Sequence, residues 1–121
     1  MEGFKIVRNA MDWEHPIWTG ILMHYGPGAV QYHPQTWVTP REGYGPLTVF
    51  QDWPSTLGYW NTRFRPGARQ WRIFQCVYTP SRWDKVWRAN SGWMVQVAHM
   101  PPGTVLADAV MITVPVEENY L

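Results

Sequence analysis

Apolar residues alternate with polar ones, or fill both faces, in several short stretches, and at helical spacing in one longer stretch. From Gln70 to Tyr78 the alternation places Phe74, Cys76 and Tyr78 on one face and Trp71, Ile73 and Val77 on the other. A strand that is apolar on both faces belongs in the middle of a sheet. Gly3 to Arg8 reads as a first strand, with Phe4 and Ile6 sharing a face. Leu47 to Phe50 reads as a short buried strand and residues 93–98 as another. Residues 104–114 form a final strand or strand pair, rich in β-branched Thr104, Val105, Val110, Ile112, Thr113 and Val114.

Helical spacing is clearest at Trp53, Leu57, Trp60 and Phe64, which recur at i, i+4, i+7 and i+11 and predict a helix over 53–64. Asp52 is placed to cap it, and Pro54 falls in the first turn, where proline is tolerated. Trp83, Val86 and Trp87 predict one helical turn within 82–88, and residues 17–24 fit either a short helix or a strand. Turns are marked by Thr79-Pro80-Ser81, Asn90-Ser91-Gly92 and Pro101-Pro102-Gly103. The stretch 24–33 is nearly mirror-symmetric, and a hairpin about Gly28 would pair Tyr25 with Tyr32 and His24 with His33. Residues 34–46 hold Pro34, Pro40, Gly43, Gly45 and Pro46 and read as a long loop, a kind that often carries function. These elements predict a single α+β domain over 1–121. Its sheet is mixed or antiparallel, with about five to six short strands, one main helix and one or two short helical turns.

Nine tryptophans in 121 residues change this picture. An interior this small does not absorb nine indoles, so several are expected to line a recess, a groove or a contact with another molecule. Charged residues make up only 16% of the chain, against about 25% usually, which favours oligomers. The net charge of +1 hides an uneven distribution. Residues 63–88 carry Arg63, Arg65, Arg69, Arg72, Arg82, Lys85 and Arg88 against Asp84 alone, while the segments on either side are net acidic. The single cysteine, Cys76, excludes an internal disulfide and reads as a buried structural thiol. The lack of a leader pattern or a long apolar run makes a bacterial or infected-host cytoplasm the expected setting, without a membrane partner.

The basic middle also interleaves cations with rings: Arg63, Arg65, Arg69 and Arg72 with Phe64 and Trp71, and Arg82 and Arg88 with Trp83 and Trp87. Guanidinium groups pair with phosphates or carboxylates, and indoles offer faces for bases or sugars. The plainer account is that the arginine stems cover tryptophans on a solvated face. His24 and His33, with His15, His99 or Asp12, fall short of a strong zinc pattern, so no metal is expected. Gly43-Tyr44-Gly45 lacks the helix that a phosphate loop needs, and no cofactor is implied.

Two resemblances add to this. Arg8 on an early strand, with Glu117 or Glu118 after the last, resembles the arginine–serine–glutamate class of ADP-ribosyltransferases. That resemblance implies an arginine holding a phosphate of NAD and a glutamate directing chemistry at the ribose. The Ser-Thr-Ser strand motif of the class is missing, since Ser55-Thr56 falls in the predicted helix. More broadly, Gly45-Pro46-Leu47-Thr48-Val49-Phe50, Arg72 to Ser81 and Pro101 to Asp108 resemble small uncharacterised proteins of phages and bacterial mobile elements over roughly residues 3–114. This implies an intracellular accessory protein and names no chemistry.

The expected function is a non-catalytic binding domain whose aromatic, arginine-lined surface holds a protein, a nucleotide or a nucleic acid. The candidate binding residues are Trp37, Tyr44, Arg65, Arg69, Trp83 and Arg88, all in expected loops or at element ends. The alternatives are a nucleotide-using enzyme built on Arg8 and Glu117 or Glu118, and a homo-oligomeric or virion accessory subunit held together by exposed indoles.

Overall fold

A computed structural model describes residues 1–9, 18–20, 29–63 and 71–116. Ten strands and one α-helix are formed among these residues, and every strand pairing is antiparallel. The strands are β1 (Glu2–Asn9), β2 (Trp18–Gly20), β3 (Gln31–Tyr32), β4 (Trp37–Val38), β5 (Tyr44–Gly45), β6 (Leu47–Phe50), β7 (Trp71–Pro80), β8 (Lys85–Arg88), β9 (Met94–Gln96) and β10 (Thr104–Pro115). The helix α1 spans Trp53–Arg63 and lies between β6 and β7.

Four strands close on themselves. β7 pairs along β1 on one side and along β10 on the other. β6 joins β10 through Thr104–Ala107 and touches β1 at Phe4↔Phe50, which completes the ring. Closure removes the sheet edges that four strands would otherwise expose. The ring is tied at the β6 end and open at the other, where β1 turns to pair with β2 and β10 with β4. Register shifts in β10 between Ala107 and Ala109, and between Ile112 and Pro115, supply the bending that so small a ring requires.

Alternation then sorts the core into two clusters. Val7, Val49, Phe74, Cys76, Tyr78, Val110 and Ile112 pack together with Tyr32 of β3. The other face of β1, β6 and β7 presents Ile6, Phe50 and Ile73 to Trp60 of α1, with Phe4, Trp53, Tyr59 and Trp71 around them. The expected faces of β7 are thus both present, and its central position follows from its two long partners. At the start of α1, the Ser55 N–H donates to Asp52 Oδ1 at 2.8 Å, the anticipated cap. Thr56, fully buried, donates its hydroxyl to the Asp52 carbonyl at 2.7 Å.

Several expectations are corrected. The strands number ten among the described residues rather than five to six, because pairs as short as β3, β4 and β5 leave no periodicity to read. Two of these, β4 and β5, lie in the segment 34–46 that reads as a loop. Residues 82–88 do not form a helical turn: Lys85–Arg88 is a strand held between β5 and β9. Thr79 and Pro80 extend β7 instead of turning the chain. A short 3₁₀ turn does form, at Val97–His99. Tyr32 is registered against Trp18, and its proposed hairpin partner Tyr25 lies outside the described residues, as do His24 and Phe64. No helix among the described residues is long and apolar enough to cross a membrane.

Candidate functional site

The second sheet, β5–β8–β9, gathers exposed aromatic groups. Of seven tryptophans whose side chains are described, only Trp60 is buried. Among the described residues, three of the six exposed large apolar side chains, Trp83, Trp93 and Met94, lie on or beside this sheet. Alternation along β8 separates two sets of side chains. Val86, buried at 3% exposure, stands opposite Val95 and anchors the sheet. Trp87 packs against Trp83 with ring centroids 5.4 Å apart, and Met94 stands opposite Trp87 in register. Lys85 Nζ lies 5.9 Å from the centre of the Trp83 ring.

The opposite face of the sheet, one residue further along β8, carries Tyr44 and Arg88 in register. The Arg88 guanidinium lies 5.7 Å from the Tyr44 ring, and the Arg88 backbone N–H donates to the Trp93 carbonyl at 3.1 Å. Ser91 fixes the connecting turn: its hydroxyl donates to the Arg88 carbonyl at 2.9 Å and accepts from the Trp93 N–H at 3.1 Å. Gly45 fits under Trp87, whose ring would stand 3.1 Å from any Cβ placed there. Lys85 on one face and Arg88 on the other each sit beside a ring, an arrangement that offers a π-face and a positive charge to the same ligand.

A recess of about 290 Å³ opens where β1 and β6 part beyond the Phe4–Phe50 contact. Tyr59 and Arg63 from the last turns of α1 form one wall, and Val95, His99 and Met100 from β9 and the 3₁₀ turn form another. Lys5 and Thr48 line it from β1 and β6.

Lys5 is the least expected feature. It lies between Phe4 and Ile6 on the inward face of β1 and is only 4% exposed. Its Nζ donates to the Thr48 carbonyl and to Thr48 Oγ1 at 3.3 Å. The carbonyl is free for it because of strand register. Leu106, opposite Thr48, turns its own carbonyl to the Ser81 N–H at 2.9 Å. The 106–48 pair is therefore not hydrogen-bonded across β6 and β10, and the Thr48 carbonyl points towards β1. The Tyr32 ring lies 5.1 Å from Nζ and supplies a face but no formal charge.

Burial holds the Lys5 ammonium down at about 8, partly offset by the neighbouring Cys76. Burial likewise pushes the Cys76 thiol up to about 11, so it is an inert thiol at neutral pH, as its place in β7 implies. These shifts have a measurable consequence. Between about pH 8 and 9 the unfolded chain keeps Lys5 protonated while the folded chain releases the proton, so stability rises with pH. Cys76 acts in the opposite direction, above its ordinary value of 9.0. Lys5→Met removes the first effect alone. Wild type is expected to gain about 1 kcal/mol on that variant between pH 7 and 9 in urea titrations, and parallel pH curves would show that Lys5 is not buried as a cation.

The sequence-derived candidates distribute unevenly. Tyr44 and Arg88 meet on one face of the small sheet, and Trp83 packs on Trp87 of the other. Trp37, 50% exposed, lies apart on β4 at the edge of the larger sheet, opposite Met111. Arg65 and Arg69 lie outside the described residues. Arg8 is half-buried near the end of β1 opposite Trp71, and Glu117 and Glu118 also lie outside the described residues. Ser55 and Thr56 are in α1, so they form no strand motif. Among the described residues no group of three His, Cys, Asp or Glu side chains is placed to hold a metal. Lys5 and Thr48 were not singled out as site residues by the sequence, and His99 was weighed only as a third metal ligand beside His24 and His33. The one signal for Lys5 was that it shares a strand face with Val7.

The residues thus define a small antiparallel β protein with a closed four-stranded ring, one packed helix and an aromatic second sheet. No family model, curated protein or solved structure matches the chain.

Proposed function

We propose that this chain is a non-catalytic binding module that holds single-stranded nucleic acid on the β5–β8–β9 sheet. The supporting observation is the pairing of rings with a cation on one face of that sheet: exposed Trp83 and half-buried Trp87 with Lys85. Successive bases stack on the rings without regard to sequence, and the ammonium and guanidinium groups meet the intervening phosphates. The basic character of residues 63–88 extends the attraction beyond the sheet. An intracellular, phage-associated accessory role belongs to the same proposal and rests on the sequence resemblance.

The test is fluorescence titration with oligothymidine at several salt concentrations. Engagement of about two phosphates by Arg82 and Lys85 gives a slope of about −1.4 in log affinity against log salt. Trp83→Ala is expected to weaken binding about tenfold, the loss of roughly one stacked base. A flat salt response, or an unchanged affinity in Trp83→Ala, rejects this reading.

A further inference from the structure

The recess between β1 and β6 touches the aromatic sheet at Val95, away from the Trp83–Trp87 pair, and has its own electrostatic character. Its basic side chains are Lys5, Arg63 and His99, and no aspartate or glutamate among the described residues lines it. Lys5 is a buried ammonium with no carboxylate against it among the described residues. Its two protein acceptors are the carbonyl and hydroxyl of Thr48. A buried cation held only by neutral groups is costly, and an incoming anion offsets that cost. Arg63 stands in the last turn of α1, exposed, with its guanidinium 5.8 Å from the Tyr59 ring. Ring and guanidinium both line the recess.

We propose that this recess is a binding site for a small organic carboxylate with an apolar body. The carboxylate meets the Lys5 ammonium and the Arg63 guanidinium, and the body lies against Ile6, Phe50, Val95 and Met100. Three arguments select this class. The volume of about 290 Å³ is at the lower end of ligand pockets, which excludes a dinucleotide or a peptide of any length. The wall is largely apolar, so a ligand with charge at one end only fits it best. A phosphomonoester brings nearly two charges and three strongly solvated oxygens, more than one ammonium and one guanidinium can satisfy beside apolar walls. Guanidinium and carboxylate, in contrast, match as a planar pair.

The experiment is calorimetric titration of the whole chain with benzoate, with benzamide as the uncharged isostere, phenyl phosphate as the dianion and acetate as the anion without a body. Benzoate is expected to bind in the millimolar range or better, and benzamide and acetate each about tenfold more weakly. Arg63→Gln, on the exposed end of the helix, is expected to reduce benzoate affinity about tenfold while leaving the fold intact. Lys5→Met should abolish binding. If that variant does not fold, Arg63→Gln still decides the matter. Trp83→Ala should leave benzoate affinity unchanged, which keeps this site separate from the proposed nucleic-acid surface. Equal affinity for benzamide, tighter binding of phenyl phosphate, no effect of Arg63→Gln, or no benzoate binding at about 10 mM each overturns the proposal.

Discussion

Replacing Trp60 with Ala is expected to destabilise the protein by about 3–5 kcal/mol, with the denaturant midpoint falling and the slope unchanged. Trp60 is 8% exposed and joins Ile6, Phe50 and Ile73 in the cluster beneath α1. It contributes the largest buried side chain that the helix sends to the ring. Removing the indole leaves a cavity bounded by β1, β6 and β7, three strands that pairing holds in place and that cannot collapse to fill it. The helix depends on this contact, since eleven residues, including Gly58 and Pro54, do not hold a helix by propensity alone. A loss below about 1 kcal/mol in urea titration would mean that α1 is not docked through Trp60.

Gly3→Ala is expected to cost about 3 kcal/mol, although it adds only one methyl group. A Cβ at residue 3 would stand 2.5 Å from the Phe50 carbonyl oxygen and 3.0 Å from the Tyr78 ring. The first of these atoms is backbone and cannot rotate away. It also belongs to the one contact, Phe4↔Phe50, that ties β6 to β1 and closes the ring. Accommodation therefore requires β6 to move off β1 at the mouth of the recess. Unfolding titrations measure the loss. An effect within about 0.5 kcal/mol of wild type would show that the ring is not closed at this point.

The two cases differ in how visible they were beforehand. Trp60 stands out in the sequence because helical spacing, a capping Asp52 and a first-turn Pro54 all point to the same element. β7 is legible for a similar reason: Gln70 to Tyr78 carries apolar groups on both faces, and these demand neighbours on both sides. The excess of tryptophan is equally informative, and Trp37, Trp83 and Trp93 are indeed exposed. β8 shows where local pattern misleads. Trp83, Val86 and Trp87 have the spacing of a helical face, and Trp83 and Trp87 do touch. Their contact arises in a strand instead, because β5 and β9 supply the hydrogen bonds that β8 needs. An isolated four-residue segment has no means of announcing such partners.

The candidate sites divide along the same line. The aromatic and cationic residues of the small sheet were visible as composition, and three of the six named residues lie on it. Their division between two faces was not visible, since it depends on the register of Tyr44 with Arg88 and of Trp87 with Met94. Lys5 was hidden altogether. A lysine between two apolar residues reads as the solvent side of an alternating strand, and only ring closure turns that side inward.

By itself, then, the chain determined its one helix, its central strand, the inert burial of Cys76 and the surplus of indoles over interior space. Those features depend on periodicity and side-chain volume, which are local properties. The closed ring, the buried Lys5 ammonium and the recess beside it were decided only in three dimensions. They depend on which strands become neighbours and in what register, and no short window of residues contains that information.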